Sequence, residues 1–263
     1  PIVPEGNYYW TVIPVNTKGT TITTDDIKAQ GCGVYTFCVR YETSSDHSVS
    51  PSTQGQDFFF SLMENGYQNA RGKKYTAVIA PKESGWVKFH FYARGIDTVI
   101  NVTKNETATI TLRESDVHHV SVGDTYKNRT VHVESNVDIS LYIANEATNS
   151  FDASIVLPTH ALGTDYMIQT YVNGIHNSGY TTPTSANPCF MIIGTKNDTK
   201  VRITGPKDKI TALRPEPTNV TTENNISYYD IDLNEGDSYF IRTHYDRNND
   251  NGRVLDLSGL RVT

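Results

Sequence analysis

Trp86-Val87-Lys88-Phe89-His90-Phe91-Tyr92 decides the fold class. Val87, Phe89 and Phe91 share one face, and Trp86, Lys88, His90 and Tyr92 share the other. Successive side chains of an extended chain point to opposite faces, so this period of two predicts a strand covered on one side. The same period recurs outward along the chain. Val137, Ile139, Leu141 and Ile143 alternate with Asp138, Ser140 and Tyr142. Ala108, Ile110 and Leu112 alternate with Thr109 and Thr111, and Tyr229, Ile231 and Leu233 with Asp230 and Asp232. β-Branched and aromatic residues fill these runs, as a pleated surface favours. Turn formers separate them: Glu64-Asn65-Gly66, Lys82-Glu83-Ser84-Gly85, Lys196-Asn197-Asp198 and Asn234-Glu235-Gly236-Asp237. The one helical signal is a single turn over Asp25–Gln30, ended by Gly31. The prediction is an all-β chain.

The order of motifs repeats. Gly55-Gln56-Asp57-Phe58 is similar to Gly163-Thr164-Asp165-Tyr166, and Tyr75–Pro81 to Phe190–Thr195. Each is followed by a polar turn and an alternating strand, Trp86–Phe91 or Lys200–Thr204. ATITLRESDVHHV then matches YYDIDLNEGDSYFI, and VHVESNVDISLYI matches RVLDLSGLRVT. Ordered self-similarity of this kind marks duplicated architecture. The expected arrangement is two tandem β-sandwich-like subdomains, 54–145 and 146–263, related by this weak internal repeat. Residues 1–53 stand outside it as an N-terminal extension or the end of a preceding module. They hold candidate strands at Tyr8–Val15 and Val34–Tyr41, then a Ser-, Thr- and Pro-rich link over Ser44–Thr53. An initial Pro suggests a processed or excised piece of a longer chain. By the repeat, Leu260–Thr263 matches Val131–Glu134, which leads through a turn at Ser135-Asn136 into Val137–Ile143. The second subdomain then lacks one strand, and an open edge beside Leu260–Thr263 would invite a donated strand and strand-mediated assembly.

Composition narrows the function. Net charge is -6, so nucleic acid is not an expected partner, since no basic stripe is available to neutralise phosphates. Hydrophobic residues are 37% and aromatics 10%, which suits a turn-rich β-protein rather than a disordered chain. No run approaches the roughly 20 apolar residues of a spanning helix, so no membrane insertion is expected of this segment.

Six N-x-S/T sequons begin at Asn101, Asn105, Asn128, Asn197, Asn219 and Asn225. Their number and turn contexts predict glycosylation, and with it a secreted, extracellular location. The three cysteines, Cys32, Cys38 and Cys189, are disulfide candidates. Either Cys32 and Cys38 close a small ring, or one of them bonds to Cys189, and an odd count leaves one over.

The second half resembles the N-terminal domain family of IgG Fc-binding protein, a module of secreted mucus and matrix proteins. The residues carrying this are NVDISLYIA (136–144), ASIVLPTHALGTDYMIQTY (153–171), FMIIGTKNDTKVRI (190–203), IDLNEGDSYFI (231–241) and DLSGLRVT (256–263). A looser likeness starts at QGQDFFFSLMEN, giving a span of about 54–263. A polar insert, Tyr245–Gly252, departs from the pattern. The resemblance implies a non-catalytic extracellular module in adhesion or mucosal matrix, whose partners are other extracellular glycoproteins or copies of itself. It places immunoglobulin binding on no residue.

Sites with chemistry are sparse. No nucleophile elbow, zinc-protease helix motif or phosphate loop occurs, so the chain reads as no enzyme. Asp230 and Asp232 share a polar strand face, and a glycosidase would need them across a cleft. His118 and His119 are adjacent, point to opposite strand faces and are expected at the surface; His132 is expected to face outward beside Glu134. Asp246, Asn248 and Asp250 alternate as oxygen ligands do in a calcium loop, but Asn251 replaces the turn glycine and Leu257 the closing glutamate. Calcium is therefore the one cofactor in question. A second reading of the chain is a carbohydrate-binding, lectin-like domain, calcium-assisted at that loop. Tyr8, Tyr9, Trp10, Trp86, His90 and Tyr92 are aromatics able to stack on sugars or on a protein.

Overall fold

A strand of 17 residues, β8 (Val131–Ala147), organises the first half of the fold. The computed structural model describes residues 6–10, 35–39, 52–63, 72–119, 129–147, 150–170, 188–243 and 256–263. The chain divides into two compact units, 1–50 and 51–263. In the smaller, β1 (Gly6–Trp10) pairs antiparallel with β2 (Tyr35–Val39), Tyr8 opposite Phe37. They overlap the two strands expected there, and the remainder of each sequence pattern lies outside the described residues.

In the larger unit, β3 (Gly55–Phe60) and β5 (Gly85–Phe91) flank the first half of β8. β4 (Lys74–Pro81) and β9 (Ser150–Val156) flank its second half. β6 (Ile96–Val102) extends from β5, and β7 (Ala108–Leu112) from β4. The turn expected at Ser135-Asn136 is absent, because both side chains serve the sheet. The Trp86 amide donates to Asn136 Oδ1 at 2.7 Å, and Ser135 Oγ donates to the Trp86 carbonyl at 3.1 Å. Gly85 is required there, since a Cβ would lie 2.4 Å from Asn136 Oδ1. One core of phenylalanines and aliphatics follows, with Phe58, Val87, Phe89, Val133, Ile139 and Leu141 all fully buried. Fully burying one such side chain stabilises by about 1.5–3 kcal/mol.

The second core is a two-layer β-arrangement. One sheet runs in the order β10 (Tyr166–Met167), β17 (Arg261–Val262), β12 (Thr199–Pro206), β15 (Ile226–Leu233), β14 (Thr221–Glu223). The other runs β11 (Cys189–Ile193), β16 (Ser238–Thr243), β13 (Leu213–Arg214). Ile203 and Tyr229 from the first meet Phe190, Leu213 and Ile241 from the second, with Leu257 and Leu260 between strands. Two short helices, α1 (Glu114–Val117) and α2 (Lys207–Thr211), were invisible to periodicity because a single turn has no repeat. The helical turn expected at Asp25–Gln30 lies outside the described residues.

The internal repeat appears as topology. The order β3-β8-β5-β6 recurs as β10-β17-β12-β15. Val133 stands between Phe58 and Phe89, and Val262 between Tyr166 and Ile203. One step of the sequence match shifts: β15 takes the place of β6, and β16 beside β11 takes that of β7 beside β4. Alternation alone cannot separate two neighbouring strands of the same period. β9 returns beside β8, so 146–147 and 150–156 stand with the first sheet, where the sequence put them with the second.

The open edge expected beside Leu260–Thr263 is not there. β17 has β12 on one side and β10 on the other. Arg202 and Thr263 exchange two backbone hydrogen bonds of 2.8 and 3.0 Å, and the Ile168 amide donates to the Leu260 carbonyl at 2.7 Å. The backbone groups of 260–263 are thus paired, while β11, the counterpart of β4, pairs with β16 alone among the described residues.

Candidate contact surface and glycosylation sites

Large apolar side chains are exposed unevenly. Phe151, Leu157, Leu162, Tyr166 and Met167 are exposed within 17 positions of chain, Phe151 and Met167 at 67% each. β9 presents Phe151 outward. Leu157 and Leu162 flank a 3-10 turn (Thr159–Ala161), and β10 carries Tyr166 and Met167. The segment is held from beneath. Thr159 Oγ1 donates to Asp57 Oδ2 at 2.6 Å, and Pro158 packs where a Cβ on Gly55 would stand, 2.5 Å away. Arg261 makes a two-pronged pair with Asp165 at 2.8 and 2.6 Å. Tyr166 Oη donates to the Gly163 carbonyl at 2.7 Å and accepts from its amide at 2.9 Å. An apolar strip on a fixed backbone is what a protein contact surface needs. The sequence pattern missed it, because FDASIVLP reads equally well as buried strand.

Five of the six sequons are described, and all five asparagines are exposed. Asn101 lies on β6, opposite Trp86, and Asn105 follows in the turn to β7 with a left-handed φ of 62°. Asn219 and Asn225 bracket β14 at φ 55° and 65°, a region asparagine tolerates. Asn197 occupies the turn before β12, where its Oδ1 accepts from the Glu235 amide at 3.2 Å. That contact leaves the carboxamide nitrogen as the free end. Asn128 lies outside the described residues, as do Cys32 and the calcium-loop trio Asp246, Asn248 and Asp250. Cys38 stands on β2, and Cys189 opens β11 opposite Arg242. Among the described residues no three His, Cys, Asp or Glu gather as metal ligands.

The histidines differ from expectation. His118 and His119 are buried, not at the surface, because Leu62 bridges to the segment: its amide donates to the Val117 carbonyl at 2.7 Å and its carbonyl accepts from the His119 amide at 3.1 Å. His119 Nε2 meets Ser238 Oγ at 2.9 Å, which joins the two cores. Burial pushes both imidazoles down to about 4, opposed at His118 by Glu114. His132 is half-buried, stacked on Phe59 at 4.1 Å and 2.5 Å from Asp57 Oδ1. Tyr92, expected to face outward, donates to Glu235 Oε1 at 2.7 Å, with Gly236 against its ring. A Cβ on Gly236 would lie 2.5 Å from that ring, and its φ of 80° also suits glycine. Burial and the Glu235 carboxylate push the Tyr92 phenol up. Trp86 keeps an exposed ring. Asp230 and Asp232 are exposed and tied to Arg202 and Lys200 across the strand pair. The Arg202 hydrogen bonds hold Asp230 below its ordinary range.

The motif residues are turn builders. Asp256 Oδ1 accepts from Thr170 Oγ1, Ser258 N and Ser258 Oγ at 2.8–3.0 Å, fixing the DLSG turn. Asp237 Oδ2 accepts from the Asn234 amide at 2.9 Å, and Gly194 and Gly236 bond across the adjoining turn. Fold and surface thus define a β-sandwich module with structural motifs and an exposed apolar strip. Residues 152–263 match a family model described as IgGFc binding protein. The match takes in most of β9, the strip apart from Phe151 and the whole second core, while NVDISLYIA (136–144) and the looser likeness before it lie outside. No curated protein and no solved structure matches. No helix among the described residues is long and apolar enough to cross a membrane.

Proposed function

We propose that this chain is an extracellular, N-glycosylated contact module of a larger secreted glycoprotein, acting in adhesion or matrix assembly by binding protein surfaces. The observation that carries it is the strip at Phe151–Met167, exposed, apolar and free of sequons, within or beside the matched family region. Interfaces draw on large apolar and aromatic side chains held on rigid backbone. The sequons lie elsewhere, so glycans leave this strip open. The family's name makes immunoglobulin Fc the first probe, and the chain itself the second.

The test is surface plasmon resonance on the secreted protein with immobilised Fc and with the chain itself. Binding to either, weakened at least tenfold in F151D/M167D with unchanged circular dichroism, supports the reading. Binding to glycans on an array, lost with chelator and indifferent to F151D/M167D, replaces it with a calcium-assisted lectin.

A further inference from the structure

Among the described residues β6, β7, β10, β11, β13 and β14 end their sheets, and β6 and β14 are the two flanked or occupied by pairs of sequons. β6 ends the seven-stranded sheet, and β14 ends the five-stranded one. Each exposes aliphatic side chains: Ile96 and Val99 on β6, and Val220 and Ile226 around β14. All three residues of β14 are exposed. An exposed edge with apolar side chains is a template for pairing with another chain. Of the usual guards, β6 has one charge, Asp97, and β14 is short and carries Glu223, while neither strand has a lysine or proline. Beside them stand asparagines of sequons, Asn101 and Asn105 at β6, Asn219 and Asn225 at β14.

Left-handed backbone accounts for asparagine at 105, 219 and 225 by itself. It does not account for Asn101, which is in extended strand, where asparagine is disfavoured. Nor does it account for the exposed hydroxyls of Thr103, Thr107 and Thr221, two residues on, although Ser227, after Asn225, is buried and its Oγ meets Thr222 Oγ1 at 2.7 Å. The strip at 151–167 includes the edge strand β10 and has no sequon, so edge position and sequons coincide at β6 and β14 and not at β10.

We propose that Asn-linked oligosaccharides at these four positions are edge guards that keep β6 and β14 from pairing with other chains. The attachment is ordinary group transfer. The carboxamide nitrogen loses a proton and bonds to the anomeric carbon of a lipid-diphosphate-linked oligosaccharide, and the C–O bond to the lipid diphosphate breaks. A hydrated oligosaccharide on an edge residue occupies the space an incoming strand needs. This rests on the secretory part of the function proposed above, but not on the strip.

The experiment uses the protein secreted from eukaryotic cells in the F151D/M167D background, which removes the strip from any self-contact. Glycopeptide mass spectrometry reads occupancy, and sedimentation velocity reads assembly. T103A/T107A removes both β6 sequons, and T221A/N225D both β14 sequons, while keeping residues that tolerate left-handed backbone. The N197Q variant, in a turn away from both edges, is the control. The expected result is occupied sites and a monomer in the background protein, and a shift to dimer and larger species in each edge variant but not in N197Q. Adding V99K to T103A/T107A returns the monomer. Monomers throughout at equal concentration, an unoccupied Asn101 or Asn219, or association that V99K leaves unchanged overturns the proposal. Loss of Fc or self-binding in F151D/M167D bears only on the strip, so the two ideas fail separately.

Discussion

The first core and the second share a strand order but close it by different means. In the first, β8 supplies 17 continuous residues and pairs with four strands along its length. In the second, β17 supplies two, extended by backbone bonds of Thr263 to Arg202 and of Leu260 and Gly259 to Ile168, and side chains fix the turn before it. Asp256 fixes the turn before β17, and Leu257 and Leu260 drop into the core on either side of Gly259, whose φ is 90°. Among the described residues β11 pairs with β16 alone, whereas its counterpart β4 has β7 on one side and β8 on the other. Strand order is thus set by which apolar faces must meet. The length of any one strand is negotiable when turns hold the register.

Substitutions sharpen the contrast. Phe89→Ala, at the centre of the first core, should cost about 3–5 kcal/mol by cavity formation, read as a loss of unfolding free energy in urea. Acid should act next, at the junction. The His118 and His119 imidazoles are pushed down to about 4 from 6.5 by burial, so the unfolded chain binds more protons between those values. Their contribution is fully present above pH 6.5 and is lost as pH falls through 4, roughly 3 kcal/mol for each histidine. His118→Leu should flatten the melting profile over that window; an unchanged slope would place the acid sensitivity elsewhere. Asp256→Ala releases three hydrogen bonds of the DLSG turn and should cost about 1–3 kcal/mol. Its effect belongs to the second core, so hydrogen exchange should speed up in β12 and β17 and not in β8. Arg261→Ala breaks an exposed pair with Asp165 and should leave the melting temperature within scatter.

Most of the strands were legible because alternation is local. Trp86–Phe91 falls inside β5, Ala108–Leu112 is β7 residue for residue, and Tyr229–Leu233 ends β15. The likeness of Leu260–Thr263 to Val131–Glu134 has a counterpart in strand position, since the register between Phe58, Val133 and Phe89 repeats at Tyr166, Val262 and Ile203. What failed depends on partners distant in sequence. Nothing near His118-His119 announces that Leu62 and Ser238 will cover them. Asn136 reads as a turn residue until Trp86 supplies an amide for it. The exposure of 151–167 is not read from its sequence, because exposure is decided by what does not pack against it.

The claim beneath this account is that the chain passes through a secretory pathway and is glycosylated on its exposed asparagines. The most direct measurement is intact-mass analysis of secreted protein before and after amidase treatment, with glycopeptide mapping. The predicted result is a mass well above the polypeptide's 29.3 kDa that falls on treatment. Asn101, Asn105, Asn197, Asn219 and Asn225 would each be converted to aspartate at the occupied sites. A mass equal to the bare polypeptide, unchanged by amidase, would contradict it.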